Sequence, residues 1–254
     1  MNLKQINNLT ELFFYQFNSQ LDKNKILLST LSSNKKNFSW QETHDLINLY
    51  ANEISKYISK GDRCLLISEN RPEWFITDIA IMLSDGITVP AYTTYVEKDY
   101  EYIINDCTPT IIIVSNDEQF NKLKNISESK KFIKKIFSFE KLQNTEIKYI
   151  NLKDLDETTN KKNLPIYKST ALRKDPSCII YTSGTQGSPK GVILSHGGIL
   201  NNCEGAVDIL KPLLTNDQPR FLTWLPLSHS YEHTVQFVQV TVAARIYYAE
   251  SIDK

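Results

Sequence analysis

The chain is poor in the features that mark several protein classes. Its 254 residues include only four cysteines, two methionines and four histidines. Cys64, Cys107, Cys178 and Cys203 lie far apart without C-x-x-C spacing, which excludes a disulfide framework and a cysteine zinc site and predicts reduced core thiols in a cytoplasmic protein. An excess of one charge is also missing. With 29 basic and 29 acidic residues there is no electrostatic case for nucleic acid or an anionic membrane as a partner. No apolar run reaches about eighteen residues, so no transmembrane span is expected. The stretch from Asn7 to Phe17 carries Leu9, Leu12, Phe13, Phe14 and Phe17, but polar residues interrupt it and no small-residue cleavage site follows. It predicts an amphipathic helix docked on the domain, not a secretory signal. Its phenylalanines leave a peripheral visit as the only membrane expectation.

The chain does have a concentration of hydrogen-bond donors at Tyr181 to Gly191, YTSGTQGSPKG, directly after the apolar run Cys178-Ile179-Ile180. A strand entering such a loop leaves backbone N–H groups unpaired, and glycine lets an anion approach them closely. Thr182, Ser183, Thr185 and Ser188 add hydroxyl donors, and Lys190 adds a point charge for phosphate oxygens. A polar surface turn between strands would use the same residue types, but it would not need so many donors. Two familiar phosphate loops do not fit. A Walker A loop starting at Gly184 needs Gly at 189 and Ser or Thr at 191, where Pro189 and Gly191 stand. No Gly-x-Gly triplet of a dinucleotide fingerprint occurs between Gly184 and Gly191.

The segment resembles the signature loop of the adenylate-forming superfamily of acyl-CoA synthetases, luciferases and peptide-synthetase adenylation domains, T-S-G-T-T-G-x-P-K-G. The match runs through Thr182-Ser183-Gly184-Thr185, Gly187 and Pro189-Lys190-Gly191. Gln186 departs from it, standing where the family has a hydroxyl or small residue. The resemblance implies that Thr182, Ser183, Gly184, Thr185, Gln186, Gly187 and Lys190 hold the β- and γ-phosphates of ATP, with Mg²⁺ bridging them and Lys190 acting in catalysis.

A second segment, WLPLSHSYE at Trp224 to Glu232, resembles the L-P-L-x-H-x-x-E run of the long-chain fatty acyl-CoA synthetase branch, which ends a strand and opens a helix. The resemblance implies that His229 lies near the acyl carboxylate and α-phosphate and is catalytic, that Tyr231 and Glu232 line the same wall, and that Val235 and Phe237 are further candidates for an acyl pocket. The bland reading of His229 is a helix N-terminal residue with a local hydrogen bond. A competing reading takes His229 to His233 as H-x-x-E-H, two zinc-binding histidines one helical turn apart. That reading needs a third ligand downstream, where only Glu250 and Asp253 remain, so no protein-bound metal is assigned.

Elsewhere apolar runs alternate with helical patterns, which predicts a mostly parallel sheet covered by helices. Strands are expected at Cys64 to Ser68, Ile87 to Ala91, Thr110 to Val114 and Ile136 to Phe139. Helices are expected from Pro72 to about Asp85, where proline suits the first turn, at Asp99 to Asn105, and over the Lys-rich stretch Phe120 to Lys135 as a solvated helix. Lys141 to Lys168 reads as a connection with an edge strand at Ile147 to Leu152. NRPEW, GITVPAY and YIINDCTPTIIIV also resemble the family, as scaffold. The expected fold class is therefore α/β, with layered, mostly parallel sheets flanked by helices, the N-terminal portion of the adenylate-forming fold. A scaffold region at 1–168 and the start of an ATP-binding region at 169–254 are expected within it.

The resemblance implies ATP-dependent activation of a fatty acid to acyl-AMP and then, with CoA as co-substrate, to acyl-CoA. The family's Tyr-Gly-x-Thr-Glu segment, ribose-binding Asp, hinge and mobile C-terminal domain do not follow before Lys254. The expectation is an N-terminal part of a longer synthetase. The alternative is a catalytically incomplete remnant that binds ATP or acyl chains.

Overall fold

The computed structural model describes residues 2–31, 35–143, 145–158, 167–182, 189–214 and 217–249. Among them run the strands β1 (Ile26–Thr30), β2 (Asn37–Ser39), β3 (Arg63–Ile67), β4 (Ile87–Ala91), β5 (Ile111–Val114), β6 (Lys135–Ser138), β7 (Tyr149–Asn151), β8 (Pro176–Thr182), β9 (Lys190–Ser195), β10 (Arg220–Thr223) and β11 (Arg245–Tyr248). The helices are α1 (Leu9–Ser19), α2 (Trp40–Ile54), α3 (Pro72–Leu83), α4 (Glu97–Cys107), α5 (Asp117–Asn121), α6 (Lys124–Ser129), α7 (Leu152–Thr158), α8 (His196–Leu210) and α9 (Ser230–Thr241).

The strands form two sheets. The larger has the order β7-β6-β5-β3-β4-β8-β9, parallel throughout except for the antiparallel β9. The smaller has the order β10-β11-β1-β2, with only β2 antiparallel. The expected α/β class is what the chain adopts. Both sheets combine strands from either side of residue 168, so that division follows the chain and not the sheets.

The period-two side-chain alternation of a strand sorts the larger sheet's residues onto two cores. Cys64, Leu66, Ile111, Ile113 and Ile180 face one core, which contains most of α3 and the inner faces of α1 and α2. Leu65, Ile67, Ile112, Val114 and Tyr181 face the other, filled by Tyr100, Ile103 and Ile104 of α4. Burial on both faces explains why these strands are continuous β-branched and leucine runs. Pro72 opens α3 as expected, and every residue of that helix except Glu73 is buried. The chain leaves α3 through Asp85 in the left-handed region at φ 59°. A Cβ at the following Gly86 would lie 2.8 Å from Ile58 Cδ1, so a larger residue there would make that side chain move.

Two expectations are corrected. The Lys-rich Phe120 to Lys135 stretch is not one helix: Asn116 caps α5, Leu123 breaks the run, and α6 ends at Ser129, where Lys130 turns extended. Lysines at 130, 131, 134 and 135 would sit on neighbouring helix positions and repel one another. Instead Lys134 N donates to Thr110 O, starting β6. The helix expected at Asp99 begins at Glu97, because the Asp99 carboxylate accepts from Val96 N at 3.1 Å. The N-terminal helix forms and docks as expected, with Leu9, Leu12, Phe13 and Phe17 buried in the core. His196 Nδ1 accepts from Leu9 N at 3.3 Å at its docking site. All four cysteines are free and buried, and burial pushes the Cys107 and Cys203 thiols up to about 12. No described helix is long and apolar enough to cross a membrane.

Candidate active site

β3 lies between β4 and β5, and the helices that follow β3 and β4 cover opposite faces of the sheet. In an open α/β sheet such a switch point leaves a crevice outside the carboxyl ends of the strands. Register places the two motif segments on that edge. Ile67 pairs with Ala91, and Thr88 with Cys178. Counting on from Thr88 and Cys178 brings Ala91 level with Tyr181, so β3, β4 and β8 end at the same height.

The first motif leaves this edge from β8 and returns as β9. Their antiparallel ladder runs to the pair Thr182 and Lys190, so these two predicted phosphate ligands stand opposite each other at the base of the connection. Ser183, Gly184, Thr185, Gln186 and Gly187 lie outside the described residues. Tyr181, just before the loop, is tied to α4 by its hydroxyl donating to Asp106 Oδ2 at 2.5 Å, with Tyr102 edge-on to its ring. Burial and the Asp106 carboxylate both push the Tyr181 phenol upward, so it stays protonated. Gly191 faces Tyr181 across the ladder, and a Cβ there would lie 2.9 Å from Ile179 Cγ2 and 3.3 Å from the Tyr181 ring. The last glycine of the motif thus lets two side chains close over the strand. Lys190 is exposed, and no ion pair engages it among the described residues. β9 is an edge strand, with Ile193 61% exposed.

The second motif is fixed to the same edge from a distance. Asn70 follows the end of β3, and its side-chain amide donates to Leu225 O at 2.7 Å while its carbonyl accepts from Leu227 N at 3.0 Å. Leu227 and Ser228 are buried, His229 N donates to Pro226 O at 2.9 Å, and α9 begins. His229 is the N-cap of α9. Its Nδ1 accepts from Tyr231 N at 3.2 Å, the local bond that the bland reading requires. A neutral imidazole that accepts at Nδ1 carries its proton on Nε2, and the exposed ring can present that N–H outward. Tyr231 and Glu232 differ in exposure: Tyr231 is 63% exposed and Glu232 is 3% exposed. Burial raises the Glu232 carboxyl to about 6, although the Thr223 hydroxyl counteracts part of the effect, and its Oε1 has no hydrogen-bond partner among the described residues. Val235 is half-buried. Phe237 is fully buried against Phe75 and His233 and belongs to the core.

The H-x-x-E-H zinc reading fails on geometry. His233 is fully buried and its Nε2 lies 2.8 Å from Asp78 Oδ2 of α3, while His229 caps the helix on the surface. No group of three or more His, Cys, Asp or Glu side chains among the described residues could hold a metal ion. Burial alone would lower the basicity of His233, but the Asp78 carboxylate outweighs it, and Cys178 of β8 lies against the same ring. The pair is therefore ionic and ties α9 to α3 beside the strand that carries the first motif. Asn70 and Asp78 were readable from sequence only as scaffold. Their partners lie 155 residues away in both cases, and no local pattern announces such a contact. A cavity of about 650 Å³ among Asn8, Glu11, Phe14, His44, Asn48 and Thr170 is lined by neither motif.

Both motif segments thus stand at the carboxyl edge of a mostly parallel sheet, the place where open α/β folds bind their ligands. The chain belongs to the AMP-binding enzyme family, whose model matches residues 16–254. It is similar to long chain acyl-CoA synthetase 3 of Arabidopsis thaliana, 28% identical over 82% of this chain and 33% of that protein. It is also similar to fatty acyl-CoA synthetase A of Dictyostelium discoideum, 27% identical over 91% of this chain and 36% of that one. The chain thus spans about a third of the length of these curated relatives. Among solved structures, the luciferase-like enzyme of the mealworm Zophobas morio superposes with TM-score 0.82 at 18% identity, covering 99% of this chain and 56% of that one. ATP-bound MatB of Rhodopseudomonas palustris superposes with TM-score 0.75 at 23% identity, covering 95% and 45%.

Proposed function

We propose that the protein activates a long-chain fatty acid, joining its carboxylate to the α-phosphate of ATP with release of pyrophosphate and then passing the acyl group to CoA. The observation that carries this reading is the meeting of both motif segments on one sheet edge in a chain whose curated relatives are long-chain acyl-CoA synthetases. A carboxylate and a triphosphate are both anions, so catalysis of the first step is chiefly positioning and charge neutralisation. Lys190, exposed and without a competing carboxylate among the described residues, supplies the cation for phosphate oxygens, and Thr182 opposite it supplies a hydroxyl donor. The motif sequence assigns Ser183, Gly184, Thr185, Gln186 and Gly187 the same phosphate-holding role. His229, with Nδ1 engaged by its own helix, offers Nε2–H to the fatty carboxylate. This steadies the attacking oxygen without removing its charge. Tyr231 stands beside it at the surface, and Glu232 backs the helix from inside.

ATP enters as its magnesium complex, so the ion belongs to the substrate. The division of labour places phosphate holding in the region after residue 169 and scaffolding before it, with cytoplasmic residence and at most a peripheral membrane association. Pyrophosphate release by the purified protein, dependent on both ATP and a long-chain fatty acid, tests the reading. ATP binding without release would favour the incomplete binding remnant.

A further inference from the structure

We infer that Asn70 is a positioning residue for acyl activation. It acts through His229 by clamping the backbone of Leu225 to Leu227 against the carboxyl end of β3. The inference rests on the role proposed above for His229. Asn70 lies three residues past Ile67, outside the last rung of the strand. One side-chain amide meets a carbonyl and an N–H two residues apart, at 2.7 and 3.0 Å. It thereby continues, with a side chain, the hydrogen bonding a further strand would supply. No other amino acid offers a donor and an acceptor at that reach: aspartate has only acceptors and would set a carboxylate against the Leu225 carbonyl. The clamp fixes the residues immediately before the turn from Pro226 O to His229 N, so it sets where the α9 N-cap and its imidazole stand.

The same short stretch holds α9 as well. Four residues after Pro72 begins α3, Ile76 is core, while Trp74 lies edge-on to His233, Phe75 packs on Phe237 and Asp78 pairs with His233. Asn70 to Asp78 is therefore one template for the whole second motif. Asn70 is the member that acts on the segment leading to His229, and the others act on the helix after it.

Two readouts separate the clamp from the function on which it depends. Trp224 precedes the clamped segment and is 48% exposed, whereas Trp40 and Trp74 are buried. Acrylamide quenching in this chain therefore reports on Trp224. Asn70→Ala and the isosteric Asn70→Asp are expected to raise that quenching. The fatty-acid KM should rise about tenfold, the size of a lost pair of hydrogen bonds, with the ATP KM within about twofold. The double variant Asn70→Ala with His229→Ala should be no worse than His229→Ala alone, since both act through one imidazole. Unchanged quenching in Asn70→Asp, a variant that keeps shape and fold, would overturn the clamp. Fully multiplicative losses in the double variant would overturn its action through His229. Normal kinetics in His229→Ala would overturn the proposed role of His229, while the quenching result would still decide whether the clamp exists.

Discussion

The two motif regions meet the same edge of the same sheet but are held there in opposite ways. The first hangs from an edge hairpin whose return strand β9 is largely exposed, with Lys190 engaging no ion pair among the described residues. The second is gripped from α3 by an amide clamp, a buried ion pair and aromatic contacts. A group that must bind polyphosphate cannot be neutralised beforehand by a neighbouring carboxylate. A group that must aim one N–H gains from having every other freedom removed. The contrast suggests that damage in the first region should fall on chemistry and damage in the second on stability.

The largest effect is expected where the grip is strongest. Asp78→Ala removes the partner of the fully buried His233 Nε2 and with it the carboxylate that keeps the ring protonated, and should cost about 3 to 5 kcal/mol, read from urea unfolding. A cost below about 1 kcal/mol would mean that α9 is held by packing alone. Next comes Lys190→Ala, expected to slow adenylation by about a hundredfold while shifting stability by no more than about 0.5 kcal/mol. Comparable losses in rate and stability would make this lysine structural and abolish the contrast.

A smaller effect is expected at Gly191. Gly191→Ala forces a Cβ against Ile179 and the Tyr181 ring and should cost about 1 to 2 kcal/mol, measured by thermal unfolding. No loss would show that the hairpin yields at that point. The smallest effect concerns pH. Burial holds the Glu232 carboxyl at about 6 against 4.5 in its unperturbed state. Its contribution to stability is therefore fully present below pH 4.5 and lost as pH rises through 6. Glu232→Gln should flatten that part of the stability profile and raise stability at neutral pH. A profile identical to that of the unaltered protein would show that Glu232 is solvated.

Much of this architecture could be read from local pattern. The runs CLLIS and TIIIV are strands because β-branched and leucine side chains buried on both faces leave little alternative, and Pro72 marked a helix start by its missing N–H. The Lys-rich stretch misled because composition cannot weigh a helix against β6, whose formation depends on Thr110 and Ile111 as partners. The apolar face of α1 was legible as the docked face of a helix, but not what it docks on, since an apolar face looks the same from sequence whatever covers it. At the site, the donors of the first motif were legible because they are consecutive. The differing fates of Tyr231 and Glu232 were not, since neighbours on a helix point about 100° apart and only packing says which one faces inward.

The order of residues by itself determined the run of hydrogen-bond donors at Thr182 to Lys190, the imidazole at 229 and the alternation that forces an α/β fold, because each is written in contiguous residues and follows from side-chain type and period. Tertiary structure alone decided that Asn70 holds the segment before His229, that His233 serves Asp78 and not a metal, and that both motifs share one edge. Those outcomes depend on strand register and on contacts across some 155 residues, and register is set by the whole sheet at once.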